Sequence, residues 1–346
     1  WKKEKTLFSF FIVYLFLLIF YLFYAGFPVY NNFQLGTLER FFIIPYQVFA
    51  ILLGLGLAYL LQTYTTLFLG NKKQFSTVYS WLVPVFWGIL ILFPIVPFRK
   101  NYTTLSLLKT DRTMEQYADD ILRSIPNGAV FGAYQDTTAG AVNYALFVQK
   151  KRPDIVYLNY YLLSRPYYRQ QIASRYPDII FPQYKSETPI NEYITDFILQ
   201  NEKYTTVTSD VELPGISGYW VPSGLVYVYY STIGAIPNRQ LILDKNNRLW
   251  QTFSDPLSGS LGKFKHLLLS DVLRYYADHA FVIARAYSLV ANFDESQKFI
   301  IYALNHETNV RVDAYKPYID QLVDSKQCNP ARIGLDTVYN KWGDDF

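Results

Sequence analysis

Three stretches near the start of the chain carry no formal charge, and they constrain its fold more than any other feature. The first is the 33 residues between Lys5 and Glu39, almost uniformly apolar over 7–26. The second runs from Arg40 to Lys72 with an apolar core at 41–61, and the third lies between Lys73 and Arg99, centred on 77–98. About 20 predominantly apolar residues suffice to cross the hydrocarbon core of a membrane as a helix. The pattern therefore predicts three membrane spans, at about 7–26, 41–61 and 77–98. Tyr30, Tyr46, Tyr64, Tyr79 and Trp81 near their ends suit a membrane–water interface. Lys2, Lys3 and Lys5 precede the first stretch, and Lys72 and Lys73 separate the second from the third. Positive-inside bias then predicts a multi-pass integral membrane protein with residues after Phe98 extracytoplasmic. Pro84, Pro94 and Pro97 predict a kinked third span packed within a larger bundle.

Composition agrees with that expectation and removes several function classes. Only 17% of the 346 residues are charged, against about 25% for a typical globular domain. The net charge of +4 is uneven: residues 1–100 carry +6 and the remainder −2. The basic charge flanks the apolar stretches and does not form a nucleic-acid-binding face, so no nucleic-acid partner is expected. One cysteine, Cys328, excludes an intramolecular disulfide framework and a cysteine zinc cage. His266, His279 and His306 are too scattered for a metal site at helical spacing, so no metal is expected. The chain begins at Trp1 and its one methionine is Met114, which predicts a preceding portion.

The domain organisation expected is 1–100 for the spans, 101–261 for an α/β domain and 262–346 for a helical region. Helices are predicted over 114–124, 138–149, 164–175 and 191–200, and strands over 129–134, 154–159, 204–208 and 224–230. Such alternation implies a largely parallel sheet with crossover helices. From about residue 262 the apolar spacing is helical, with a long helix over 263–291, a break at 292–294 and a second helix over 295–305. The 34 residues 272–305 have the length of a tetratricopeptide repeat, and Ala284, Tyr287, Phe293, Phe299 and Ala303 fall where that pattern needs them. Any helical hairpin can imitate a single repeat, so both readings stay open.

No phosphate loop, nucleophile elbow or zinc-protease helix is present. Two places carry candidate chemistry. Glu39-Arg40 stands at the mouth of the second stretch, where Arg40 could pair bidentately with a lipid-linked phosphate or simply snorkel at a membrane boundary. Tyr134-Gln135-Asp136-Thr137-Thr138 stands at the carboxyl end of a strand and the start of a helix, where ligands of open α/β sheets collect. Asp136 would there meet a sugar hydroxyl or basic group, or cap the helix. Asn159, ending the second strand, invites the same two readings. Tyr157, Tyr160, Tyr161, Tyr167 and Tyr168 either stack on sugar rings or pack internally, and composition does not choose.

Certain runs resemble a known family. Gln135-Asp136-Thr137, the segment 144–149 (YALFVQ), Arg152-Pro153-Asp154-Ile155 and Asn159-Tyr160-Tyr161-Leu162-Leu163 are similar to a segment of a bacterial family of polytopic membrane proteins. That family is related to eukaryotic transmembrane protein O-mannosyltransferases, glycosyltransferases of the GT-C class. Glu39-Arg40-Phe41-Phe42-Ile43-Ile44-Pro45 looks like its entry into a late membrane helix. Relatives often have Gly-Asp-x-Asp-Thr where this chain has Ala133-Tyr134-Gln135-Asp136-Thr137, keeping only the last two residues of the pattern. The resemblance implies a bacterial cytoplasmic-membrane enzyme transferring a sugar, mannose for instance, from a polyprenyl-phosphate donor to an extracytoplasmic protein or glycan acceptor. It implies no further cofactor. Its catalytic acid belongs to a loop that no residue here matches, and is expected upstream of Trp1. A competing expectation is a non-enzymatic membrane-anchored scaffold whose helical repeats bind a protein partner.

Overall fold

The structure, a computed structural model, describes residues 2–24, 43–64, 95–183, 189–213, 215–258, 267–306 and 326–342, with a few single positions between them. The chain divides into two compact units, Trp1–Lys109 and Thr110–Phe346. In the first, helices α1 (Lys2–Tyr24) and α2 (Ile43–Tyr64) lie against each other. The rings of Tyr14 and Phe49 meet there at 6.2 Å. Helix α3 (Ile95–Thr110) closes that part of the chain.

The expected architecture of three membrane spans does not hold. Among the described residues, no helix is both long and apolar enough to cross a membrane. The multi-pass location in a bacterial membrane, with residues after Phe98 outside the cytoplasm, falls with it. A charge-free run is a property of composition, whereas a span needs one continuous helix that is apolar along its length. Helix α1 takes Lys2, Lys3, Glu4 and Lys5 into its opening turns, and α2 ends on Gln62-Thr63-Tyr64. The third expected span, 77–98, falls largely outside the described residues. Over its described residues helix α3 carries Arg99, Lys100 and Lys109.

The second unit is built on a five-stranded sheet: β1 (Val130–Ala133), β2 (Val156–Asn159), β3 (Val207–Ser209), β4 (Tyr219–Ser223) and β5 (Val226–Tyr230). The spatial order is β2-β1-β3-β5-β4. β1 pairs in parallel with both β2 and β3, while β5 runs antiparallel to β3 and β4. The sheet is therefore mixed, and the expectation of a largely parallel one applies only to its first three strands. Strand β4 escapes a sequence reading because it contains Pro222, which a sheet tolerates at an edge. It turns into β5 through Gly224 at φ +62°, whose N–H donates to Asn246 Oδ1 at 2.6 Å.

Alternation along the strands separates two cores. Phe131, Ala133, Tyr157 and Val226 face one layer. That layer holds α4 (Thr113–Ser124), α5 (Asp136–Asn143) and the first half of α9 (Leu267–Ser288). Val130, Leu158, Val207 and Tyr229 face the other, made by α6 (Pro166–Arg175) and α7 (Ile190–Asn201). Helix α8 (Arg239–Trp250) follows the sheet. The second half of α9 then pairs with α10 (Phe293–His306) and α11 (Cys328–Trp342) around Ile283, Ala284, Tyr287, Phe299 and Ala303. Ser296 Oγ donates to the Ala284 carbonyl at 2.7 Å across that hairpin.

Arg152 ties α4 to the sheet. It sits at φ +48°, a conformation uncommon for a side-chain-bearing residue. Its guanidinium donates to the carbonyls of Leu122, Ile125 and Pro126 at 2.6, 3.1 and 3.1 Å, groups the end of a helix leaves unpaired. It also forks onto Asp154 at 2.9 and 2.8 Å. This guanidinium holds the Asp154 carboxyl well below the usual range. Arg152→Ala should cost about 2–3 kcal/mol through the stranded carbonyls, read as a lower urea midpoint; Arg152→Lys should recover only part of it, since the fork is lost. A midpoint unchanged in the alanine variant would remove Arg152 from this role.

Candidate functional site

The carboxyl ends of β1, β2 and β3 lie along one edge of the sheet. The chain leaves β1, goes to β2 on one side and reaches β3 on the other, so the order reverses between β1 and β3. Open α/β sheets bind ligands outside such a switch point. Three sequence-predicted residues are placed at this edge. Asp136 opens α5, exposed, one position inside the cap residue Gln135, so it does not occupy the capping position. Thr137 Oγ1 donates to Asp271 Oδ2 of α9 at 2.9 Å. Asn159 is half-buried at the end of β2, its N–H donating to the Tyr168 hydroxyl at 2.8 Å and its side-chain oxygen accepting from Leu162 N at 3.3 Å. Glu39 and Arg40 lie outside the described residues.

The residue that sequence reasoning missed is Asp210, immediately after β3. Its carboxylate accepts the backbone N–H of Tyr134 at 2.8 Å and of Gln135 at 2.9 Å. Its own carbonyl accepts from the Tyr275 hydroxyl at 2.7 Å. Complete burial pushes the Asp210 carboxyl up to about 6, against the pull of those two N–H bonds. A signal existed: Ser209-Asp210 follows a strand as Gln135-Asp136 does. Only the pairing of β1 with β3 makes it meaningful.

Asp210 changes what the edge can hold. The first N–H groups of the helix after β1 are those a dinucleotide fold offers to phosphate. Here an internal carboxylate takes the N–H groups of the cap residue Gln135 and of Tyr134 before it, which places negative charge beside the helix entrance. No glycine occurs between Ala133 and Thr138 to bring backbone close to a pyrophosphate. The edge is consequently furnished for an uncharged or cationic ligand. Asp210 is buried and braces the loop; Asp136 is the open carboxylate.

An aromatic pair completes the edge. The rings of Tyr134 and Tyr161 meet at 4.6 Å with a 31° tilt. The Tyr161 hydroxyl is pushed up to about 12, first by its hydrogen bond with Tyr134, then by burial and by the Asp136 and Asp210 carboxylates. His279 is remote in role: buried between the rings of Tyr275 and Tyr227 at 4.5 and 5.0 Å, it is held neutral, its value pushed down to about 4 by burial. Among the described residues, no group of three or more His, Cys, Asp or Glu side chains is arranged to hold a metal. A separate cleft of about 400 Å³ opens at the amino end of β3, between residues 202–207 and 228–231. It contains none of the predicted site residues.

The fold is an α/β unit whose strand order reverses at a switch point, followed by a helical hairpin. No protein-family model matches the chain, and no solved structure matches it. It is similar to the mouse protein O-mannosyl-transferase TMEM260, with 24% identity over 165 residues. That region is 47% of this chain and 22% of the mouse protein, so the similarity spans about a fifth of the relative's length. The relationship is distant.

Proposed function

We propose that this chain is part of a glycosyltransferase of the protein O-mannosyl-transferase kind, and that its carboxyl sheet edge receives the acceptor. The similarity to the mouse O-mannosyl-transferase carries this reading. The chemistry of the edge is compatible with it, because an acceptor presents hydroxyls and Asp136 offers an open carboxylate. The Asp210 carboxylate lies just ahead of α5, on the N–H groups of Tyr134 and Gln135, and its charge with that of Asp136 favours an acceptor over a phosphate-bearing donor there. A polyprenyl-phosphate sugar, with mannose as the sugar, would meet other parts of the protein. Arg40, with Glu39 beside it, is proposed from sequence alone as the partner of that phosphate.

In this reading Asp136 orients an acceptor hydroxyl, while Thr137 and Asn159 shape the edge through Asp271 and Leu162. The test is mannose transfer from polyprenyl-phosphate mannose to a polypeptide acceptor by the complete protein. Asp136→Ala should raise the acceptor KM about tenfold, the loss of about 1.4 kcal/mol of binding, with kcat little changed. An acceptor KM equal to that of the unaltered protein would end the proposed role of Asp136.

A further inference from the structure

The structure sorts the tyrosines that composition leaves ambiguous. Tyr157, Tyr160 and Tyr168 are 3%, 0% and 8% exposed and belong to the cores. Tyr167 and Tyr161 are 63% and 54% exposed, and of the two Tyr161 is the one stacked on Tyr134 beside the switch point. It stands on a tight turn, residues Tyr160–Ser164, that Asn159 fixes through Leu162 N. Tyr134 supports its ring from one side. A surface ring held in place this way loses little freedom when a ligand settles on it.

The surroundings narrow the ligand. Asp136 is exposed and takes part in none of the ion pairs among the described residues. Asn159 commits its side-chain oxygen to Leu162 N, which leaves the amide NH2 as a donor. A carboxylate acceptor, an amide donor and a flat apolar face are the complement of a pyranose, which pairs hydroxyls around its rim with a C–H face. A phosphate is disfavoured by Asp136 and by the Asp210 carboxylate at the entrance of α5. Resting on the reading of the edge as an acceptor site, we propose that Tyr161, supported by Tyr134, is the stacking platform for a neutral hexopyranose, with Asp136 and Asn159 engaging its hydroxyls. The polypeptide acceptor is then recognised through a sugar it already carries, the product of an earlier glycosyl transfer.

Saturation-transfer NMR on the 346-residue chain tests this, with methyl α-mannopyranoside, methyl β-glucopyranoside and tetralysine as probes, and phosphorus NMR line broadening reads inorganic phosphate. At least one pyranoside should bind. Tyr161→Ala should weaken it at least tenfold, Tyr161→Phe should retain it, and Tyr204→Ala, which removes an exposed ring at the opposite sheet end, should leave it unchanged. Circular dichroism of each variant confirms folding. No pyranoside binding, binding indifferent to Tyr161→Ala, or binding of phosphate or tetralysine at Tyr161 in place of sugar would each overturn the platform. Mannose transfer by the complete protein is measured in parallel. Transfer without pyranoside binding overturns the platform alone; pyranoside binding dependent on Tyr161 but without transfer overturns the transferase reading and leaves the platform standing.

Discussion

Asp210→Ala should lower the stability of the chain by about 3 kcal/mol, because two buried backbone N–H groups lose their acceptor. Each such orphan costs about 1–3 kcal/mol, and Asp210 accepts one bond from each of Tyr134 and Gln135. Asp210→Asn keeps one acceptor and should lose less. It also exposes a pH effect. The Asp210 carboxyl is raised to about 6, against about 3.9 when unfolded. Its contribution is fully present below about pH 4 and is lost as the pH rises through 6. His279 does the reverse: lowered to about 4 when folded, against about 6.5 unfolded, it supports the fold above pH 6.5 and loses that support as the pH falls towards 4. The two oppose each other across the same window. Asp210→Asn should therefore add about 2–3 kcal/mol of acid sensitivity between pH 6.5 and 4 relative to the unaltered chain. Urea midpoints at the two pH values measure it. Parallel pH slopes in the two proteins would show that Asp210 is ionised throughout.

Gly132→Ala should be equally damaging for a steric reason. The ring of Tyr160 lies directly over Gly132, and a Cβ built there would fall among Cζ, Cε2 and the hydroxyl of that ring. Tyr160 is fully buried and cannot swing into solvent. Overpacking of a well-filled core costs about 1–3 kcal/mol and more when the neighbour is fixed, so a loss of about 3 kcal/mol is expected. The partner is identified by coupling. Tyr160→Leu is destabilising by itself, but adding Gly132→Ala to it should cost less than 1 kcal/mol, a non-additivity diagnostic of contact. Additive losses in the double variant, or a single alanine variant within about 0.5 kcal/mol of the unaltered chain, would refute the close approach.

These two positions show where local pattern stops being informative. Periodicity at 114–124 and 191–200 agrees within a residue or two with α4 and α7, because a helix that buries one face must repeat its apolar residues near 3.6. The short apolar runs of β1 and β2 are legible for the corresponding reason. Residues 138–149, read as one helix, are instead α5 from Asp136 to Asn143 continued by a π-helical turn at Tyr144–Val148. Strand β4 hides behind Pro222, whose tolerance depends on its edge position. Charge-free apolar runs predict three spans, whereas among the described residues no helix is long and apolar enough to cross a membrane.

Asp136, Thr137 and Asn159 could be marked because strand ends announce themselves. Asp210 could not: its meaning requires β3 to lie beside β1, although 76 residues separate it from Tyr134. The need for a small residue at 132 arises in the same way, from Tyr160 crossing over from the next strand. By itself the sequence determined the helices with an apolar face, the first two strands and the polar residues ending them, since these depend on neighbours a few positions apart. Tertiary structure decided the mixed sheet, the acid that braces the entrance of α5 and which tyrosines face solvent. Those outcomes depend on which distant segments share a surface, and local periodicity carries no information about that.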